Sequence, residues 1–264
     1  MAILSEIVRF ILPPAKATAT EFHKLRQHVA QAYNVRDQYF GSTIRTGAPG
    51  VRVRGDEMCW VIHWPQDSSL AENAELKAQL RQLTLAASEG GTTDGKNRDV
   101  TSLLFRFEDS QVPELKKALE SPLCEFAIIN LTPNHPRGDA AFVTSMHKTF
   151  TDCYYTKGFV GGNWAYALNT VDKTEGVVVP VVDDLGHGGG DAASATATSQ
   201  DKTAQRKGEI PQDERRLACY YLGWETVEDH RAYTKTPLFW EEIDKLSPYF
   251  APETGAWYVK FEKH

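Results

Sequence analysis

Few residues in this chain have side chains suited to chemistry, and two of the best share one stretch. CYYLGWETVEDHRAYTKTPLF, Cys219 to Phe239, carries His230 and Tyr233. An imidazole titrates near neutrality and serves as general acid or base. A phenol can hold a carbonyl or enolate oxygen by hydrogen bond, as an oxyanion-hole donor does. Together they could move a proton and steady the charge it leaves. The acids beside His230 have a plainer explanation, since Thr226 followed by Asp229 is capping-box spacing and marks a helix start.

Other polar residues interrupt apolar strands. Arg9 alternates with Ile7 and Ile11, His63 with Val61, and Asn130 with Phe126 and Ile128. Buried polar groups must find hydrogen bonds, and His63 is a second candidate base. Tyr221 and Trp224, on the strand before His230, are candidate substrate contacts, although a large aromatic such as Trp224 also serves packing. Nothing points to a metal or cofactor. His23 and His28 are not spaced as a helical metal pair, and GHGGGD around His187 follows no phosphate-loop spacing. Cys59, Cys124, Cys153 and Cys219 form no CxxC pair and suit reduced, buried thiols in a cytoplasmic protein.

The elements that must position these residues occur twice. IVRFILPP resembles FAIINLTP, CWVIHW resembles CYYLGW, and FRFED resembles VKFEK. Helical patterns follow: Phe22, Leu25, Val29 and Tyr33 share one face, as do Phe142, Met146, Phe150 and Tyr154. YFGSTIRTG and GNWAYALNT supply the second strands. Each half is therefore β-α-β-β-α-β, residues 1–115 and 120–264, with an insertion at about 171–214 rich in Gly, Ala, Ser and Thr. That composition cannot offset its ordering entropy and predicts a mobile segment. Such a unit forms a four-stranded antiparallel sheet with helices on one face. The fold class is α+β: two ferredoxin-like units packed sheet to sheet as an intramolecular α+β barrel.

Composition narrows the partners. A formal charge of −6 and the lack of a basic stripe argue against nucleic acid. Glu6 and Arg9 interrupt the first apolar run, which argues against a signal sequence, and no run is long enough to span a membrane. The expected partner is a small molecule, bound by a monomer or homodimer.

GWETVEDHRAYTKTPLF, with Trp224, Thr226-Val227-Glu228, Tyr233, Thr236-Pro237 and Phe239, resembles the dimeric α+β barrel superfamily, in particular its antibiotic-biosynthesis-monooxygenase type. The resemblance is good in the second half and weak in the first. It implies a small-molecule cavity between sheet and helices. It also places Tyr233 where polyketide cyclases carry an active-site tyrosine, and Asn130 where monooxygenases carry a substrate-binding asparagine. The histidine that cyclases and haem degraders need further along the helix is missing from PLFWEEI, and Ile243 stands near its place. The resemblance thus implies a cofactor-independent enzyme on an aromatic or polyketide-like substrate, acting by cyclisation or oxygenation. The alternative is a non-catalytic binding or stress-related protein on the same scaffold. Limited proteolysis should cut first within about 185–210 and spare the two-unit core; resistance there would mean that the insertion packs as a lid.

Overall fold

The computed structural model describes residues 2–12, 16–44, 57–65, 69–70, 73–85, 100–170, 177–178, 209–252 and 254–262. His187 and most of the insertion lie outside the described residues, as do Pro13 and Pro14 at the end of the first strand.

The first half runs β1 (Ile3–Ile11), α1 (Lys16–Ala32), β2 (Gln38–Ile44), β3 (Glu57–Trp64), α2 (Ala74–Leu85) and β4 (Thr101–Phe107). A helix that the repeat pattern does not predict, α3 (Val112–Glu120), leads into the second half. That half runs β5 (Leu123–Asn130), α4 (Ala140–Thr151), β6 (Phe159–Tyr166), a two-residue β7 (Val177–Val178), β8 (Leu217–Trp224), α5 (Val227–Tyr233), α6 (Pro237–Leu246) and β9 (Gly255–Phe261). The single helix expected after Trp224 is broken in two. Proline cannot continue a helix interior and disfavours helical backbone just before it, so α5 stops at Tyr233 with Thr234 as its C-cap, and Thr236 caps α6 by accepting from the Phe239 amide.

The strands form one antiparallel sheet in the order β6-β8-β5-β9-β2-β3-β1-β4-β7. The halves meet where β2 pairs with β9, Gly41 opposite Phe261 through Ile44 opposite Tyr258. On the far side, β4 and the end of β6 nearly close the barrel through one bridge, Phe105 to Ala167. Leu115, Ala118 and Leu119 of α3, which packs on β5, β6 and β8, join the barrel core. Gly223 permits the approach, because a Cβ at that position would lie 2.8 Å from Ala118 Cα.

Alternation along each strand divides the side chains into three cores. Ile7, Cys59, Val61, Phe126, Ile128, Cys219, Tyr221 and Val259 fill the barrel. Trp60, Ile62 and Trp64 face α1 and α2. Ile129, Tyr220, Leu222, Trp224 and Tyr258 face α4, α5 and α6. No helix among the described residues is long and apolar enough to cross a membrane.

The β2–β9 seam has no room for a side chain at Gly41, where a Cβ would collide with the Lys260 carbonyl oxygen. Gly41→Ala should therefore lower stability by about 1–3 kcal/mol, the range for overpacking a tight site. Urea unfolding checks this, and an unchanged midpoint would show that the seam gives way freely.

Candidate active site

Between the helix-facing side of the second half and α4–α6 lies a cavity of about 710 Å³. Aromatic side chains form much of its wall, with Tyr220, Trp224, Tyr233, Phe239, Trp240 and Tyr258 among them. The volume falls in the range of small-molecule sites.

One carboxylate sits in its floor. Glu125 projects from β5 to the helix side and is 2% exposed. Trp224 Nε1 donates to its Oε2 at 2.9 Å, and His230 Nε2 faces the same oxygen at 3.3 Å. The other nitrogen of His230, Nδ1, lies 2.6 Å from the Tyr258 hydroxyl. One proton placement serves all of these contacts: Tyr258 donates to Nδ1, and the Nε2 proton points to Glu125. The result is a Tyr–His–Glu relay, the logic of an activated hydroxyl with a base behind it and a third group orienting the base. Burial pushes the Glu125 carboxyl above its usual range, against the opposing pull of His230 and the Trp224 hydrogen bond. Burial also raises the Tyr258 phenol, as does the nearby Glu125 charge, while Arg231 opposes the rise.

The first half shows what this site looks like without its chemistry. Glu6 precedes IVRF as Glu125 precedes FAII, and Trp64 Nε1 donates to Glu6 at 2.8 Å. Glu6 also accepts from the Leu70 backbone N–H at 2.7 Å and the Ser102 hydroxyl at 2.6 Å. Leu70 stands six residues after Trp64, as His230 stands six after Trp224. Leu104 pairs across from Glu6, as Tyr258 pairs across from Glu125. The two matching leucines in one half are thus histidine and tyrosine in the other.

The structure sorts the residues singled out from the sequence. His230, Tyr233 and Trp224 line the cavity. Tyr233 meets Trp224 and Phe239 ring to ring at 5.9 and 5.4 Å. Asn130 shares the barrel-side parity of Phe126 and Ile128. Its Nδ2 donates to Pro252 O at 3.3 Å, and its carbonyl accepts from Ala251 N at 2.6 Å, which braces the loop carrying Thr254 at the cavity edge. The strands turn Tyr221, Arg9 and His63 into the barrel, away from this cavity. Tyr221 lies 3.1 Å from Ser5 Oγ amid Phe105, Phe107 and Phe126. Arg9 pairs with Glu57 at 2.9 Å and covers the Trp257 ring. His63 packs on Tyr39, 5.5 Å between ring centres. Sequence reasoning missed Glu125 and Tyr258; the signal was there, in a glutamate repeated in both first strands and a tyrosine replacing leucine in the closing strand.

Some proteins of this fold hold haem, but the lining does not fit one. Among the described residues His230 is the only imidazole in it, and both its nitrogens face partners. Burial raises the Cys153 thiol and the Tyr233 and Tyr258 phenols, away from the anionic form that ligates iron. Among the described residues, no group of three or more His, Cys, Asp or Glu could hold a metal ion.

The architecture is that of the dimeric α+β barrel, with both units supplied by one chain. The sequence matches no family model and no curated protein. Among solved structures, it is similar to a protein of Fusobacterium nucleatum named "Putative monooxygenase": 10% identity over 99% of this chain and 93% of that one, TM-score 0.50. A protein of the same name from Lactobacillus acidophilus is 9% identical over 99% of this chain and 94% of that one, TM-score 0.47. A chlorite dismutase from Candidatus Nitrospira defluvii is 13% identical over 97% and 90%, TM-score 0.41. At such identities the likeness is one of fold.

His63 yields a prediction of its own. It is 4% exposed, neither ring nitrogen has a hydrogen-bond partner among the described residues, and burial lowers its pKa from 6.5 to about 4. As pH falls, the unfolded chain takes up this proton near 6.5 and the folded chain only near 4, so stability is lost across that window. In urea unfolding, His63→Leu should flatten the acid-side slope relative to wild type. An unchanged slope would mean that His63 is protonated as readily folded as unfolded.

Proposed function

We propose that the second-half cavity is the active site of a small-molecule enzyme that removes a proton from an activated carbon of an aromatic substrate, without a haem. The observation that carries this reading is the Tyr258–His230–Glu125 relay opening into an aromatic-walled cavity. Tyr258 oxygen accepts the substrate proton while its own proton passes to His230 Nδ1. The imidazolium forms against the Glu125 carboxylate, which offsets the charge where water does not reach. The substrate is left as an enolate or carbanion among aromatic rings. Ring closure from that carbanion would be cyclisation. Addition of dioxygen, followed by proton uptake and loss of water, would replace the carbon's two hydrogens by a carbonyl and be oxygenation. The fold shared with a protein named as a monooxygenase is compatible with the second course.

Anthrone, a tricyclic ketone with an acidic methylene, is a suitable probe. Anthraquinone formation and oxygen uptake should proceed with wild type. Tyr258→Phe and His230→Gln should each lower kcat/KM by about a hundredfold or more, the scale of general acid–base catalysis. Tyr233→Phe, at a position outside the relay, should stay within a few-fold of wild type. Wild-type turnover by Tyr258→Phe would overturn the relay. Tight binding of enolisable aromatic ketones with no turnover would favour the non-catalytic binding protein.

A further inference from the structure

Two alanines stand directly opposite each other in the sheet beneath this cavity. Ala127 of β5 pairs with Ala256 of β9, two residues along the same face from the pair of Glu125 and Tyr258. Both alanines line the cavity, and both are half-buried. On β8 the residue across from Ala127 is Tyr220. Its hydroxyl donates to the Met146 carbonyl at 2.7 Å and its ring stacks on Trp164 at 5.7 Å, so the ring is fixed beside the two methyl groups. Alanine is a poor strand residue, and an Ala–Ala pair is the baseline above which larger cross-strand pairs stabilise a sheet. The first half shows the same place filled. Glu6 corresponds to Glu125, so Val8 corresponds to Ala127, and Val8 is 0% exposed in the core that α1 and α2 cover. A scaffold that takes valine here in one half carries alanine in the other, and the volume given up stands open beside the relay.

We propose that Ala127 and Ala256 set the substrate class of this site: their methyl groups form a flat shelf beside the relay that takes a planar, fused-ring ketone and excludes a twisted one. This rests on the reading of the cavity as the active site for an aromatic substrate. Neighbouring strands lie about 4.8 Å apart, so the shelf from Tyr220 across Ala127 to Ala256 spans about 10 Å, the long dimension of three fused rings. Residues two apart on a strand stand about 7 Å from each other, so a slab over the alanines brings its edge to the row of Glu125 and Tyr258. Phe239 and Ile243 of α6 supply the opposite wall. A valine at either position would raise a ridge in the middle of the shelf. Its branched side chain is stiff and could not swing aside.

Equilibrium dialysis of the full chain against fluorenone and benzophenone tests the shelf. The two ketones have the same carbon count and differ by the one bond that makes fluorenone flat. Wild type should bind fluorenone about tenfold tighter, the scale on which a fitted pocket rejects a poor shape. Ala127→Val should remove the preference by weakening fluorenone about tenfold or more, and Ala256→Val should do the same. Ala127→Ser, close to alanine in size, should keep it. The added methyl groups enter open space and valine suits a strand, so the urea midpoint of Ala127→Val should not fall, which separates lost fit from lost folding. Binding of neither ketone, equal affinities in wild type, or a preference that survives both valine variants would overturn the shelf. Neither ketone has an acidic C–H beside its carbonyl, so the outcome is separate from the anthrone assay. A flat preference without anthrone turnover sinks only the proton-transfer reading, and turnover without the preference sinks only this one.

Discussion

A carboxylate removed from water must be given its hydrogen bonds by the protein, and each half of this barrel is arranged around one. Glu6 and Glu125 stand on the first strand of their units and are tied to the tryptophan that ends the third, Trp64 and Trp224. The bond links strands at the point where the chain leaves the sheet for its helix. An unsatisfied buried charge costs several kcal/mol, so the strand ends, the turn and the next element are held to whatever geometry completes the set. The difference between the halves lies in how that set is completed. Glu6 takes a backbone amide and a serine hydroxyl. Glu125 takes an imidazole whose far nitrogen meets a phenol, so its environment extends into a cavity.

The fold was legible because the repeat was legible. Matching strand pairs, the closing strands and the helical faces all gave the β-α-β-β-α-β order. A long antiparallel sheet with two helix layers follows from an apolar face that must be covered. What the repeat could not supply was α3, which belongs to neither unit. Its apolar stripe of Leu115, Ala118 and Leu119 makes sense only once β5, β6 and β8 stand together for it to pack against.

The site was half legible, and strand parity explains the division. Trp224 was assigned to the cavity together with Tyr221, three residues before it on one strand, yet successive side chains point to opposite faces. If Trp224 faces the helices, Tyr221 faces the barrel and Tyr220 takes the cavity wall. The same parity turns His63 inward beside an outward Trp64. It also separates Asn130 from Glu125 on β5. Polar residues that interrupt an apolar strand looked like chemistry, but in this barrel Arg9 and His63 are core groups. Glu125 was passed over because an acid at the edge of an apolar run normally marks a solvated strand end. Only its recurrence as Glu6 could have signalled burial.

The repeat also accounts for the open cavity in one half and not in the other. In the first half, position six after the tryptophan gives its backbone amide to the glutamate. The main chain is thus drawn against the carboxylate, and Leu70 is buried over it. In the second half the equivalent partner is the tip of a histidine side chain, so an imidazole stands between the main chain and Glu125. The backbone is set back by a side-chain length, and Pro237 breaks the helix that would otherwise continue over the gap. Replacing a leucine by tyrosine across from the glutamate then puts a hydroxyl at the new surface. Burying a phenol and an imidazole is tolerable only when each completes the other's hydrogen bonds. The relay is therefore the condition under which this cavity can be lined with polar atoms at all, and the space it opens is where a substrate would meet them.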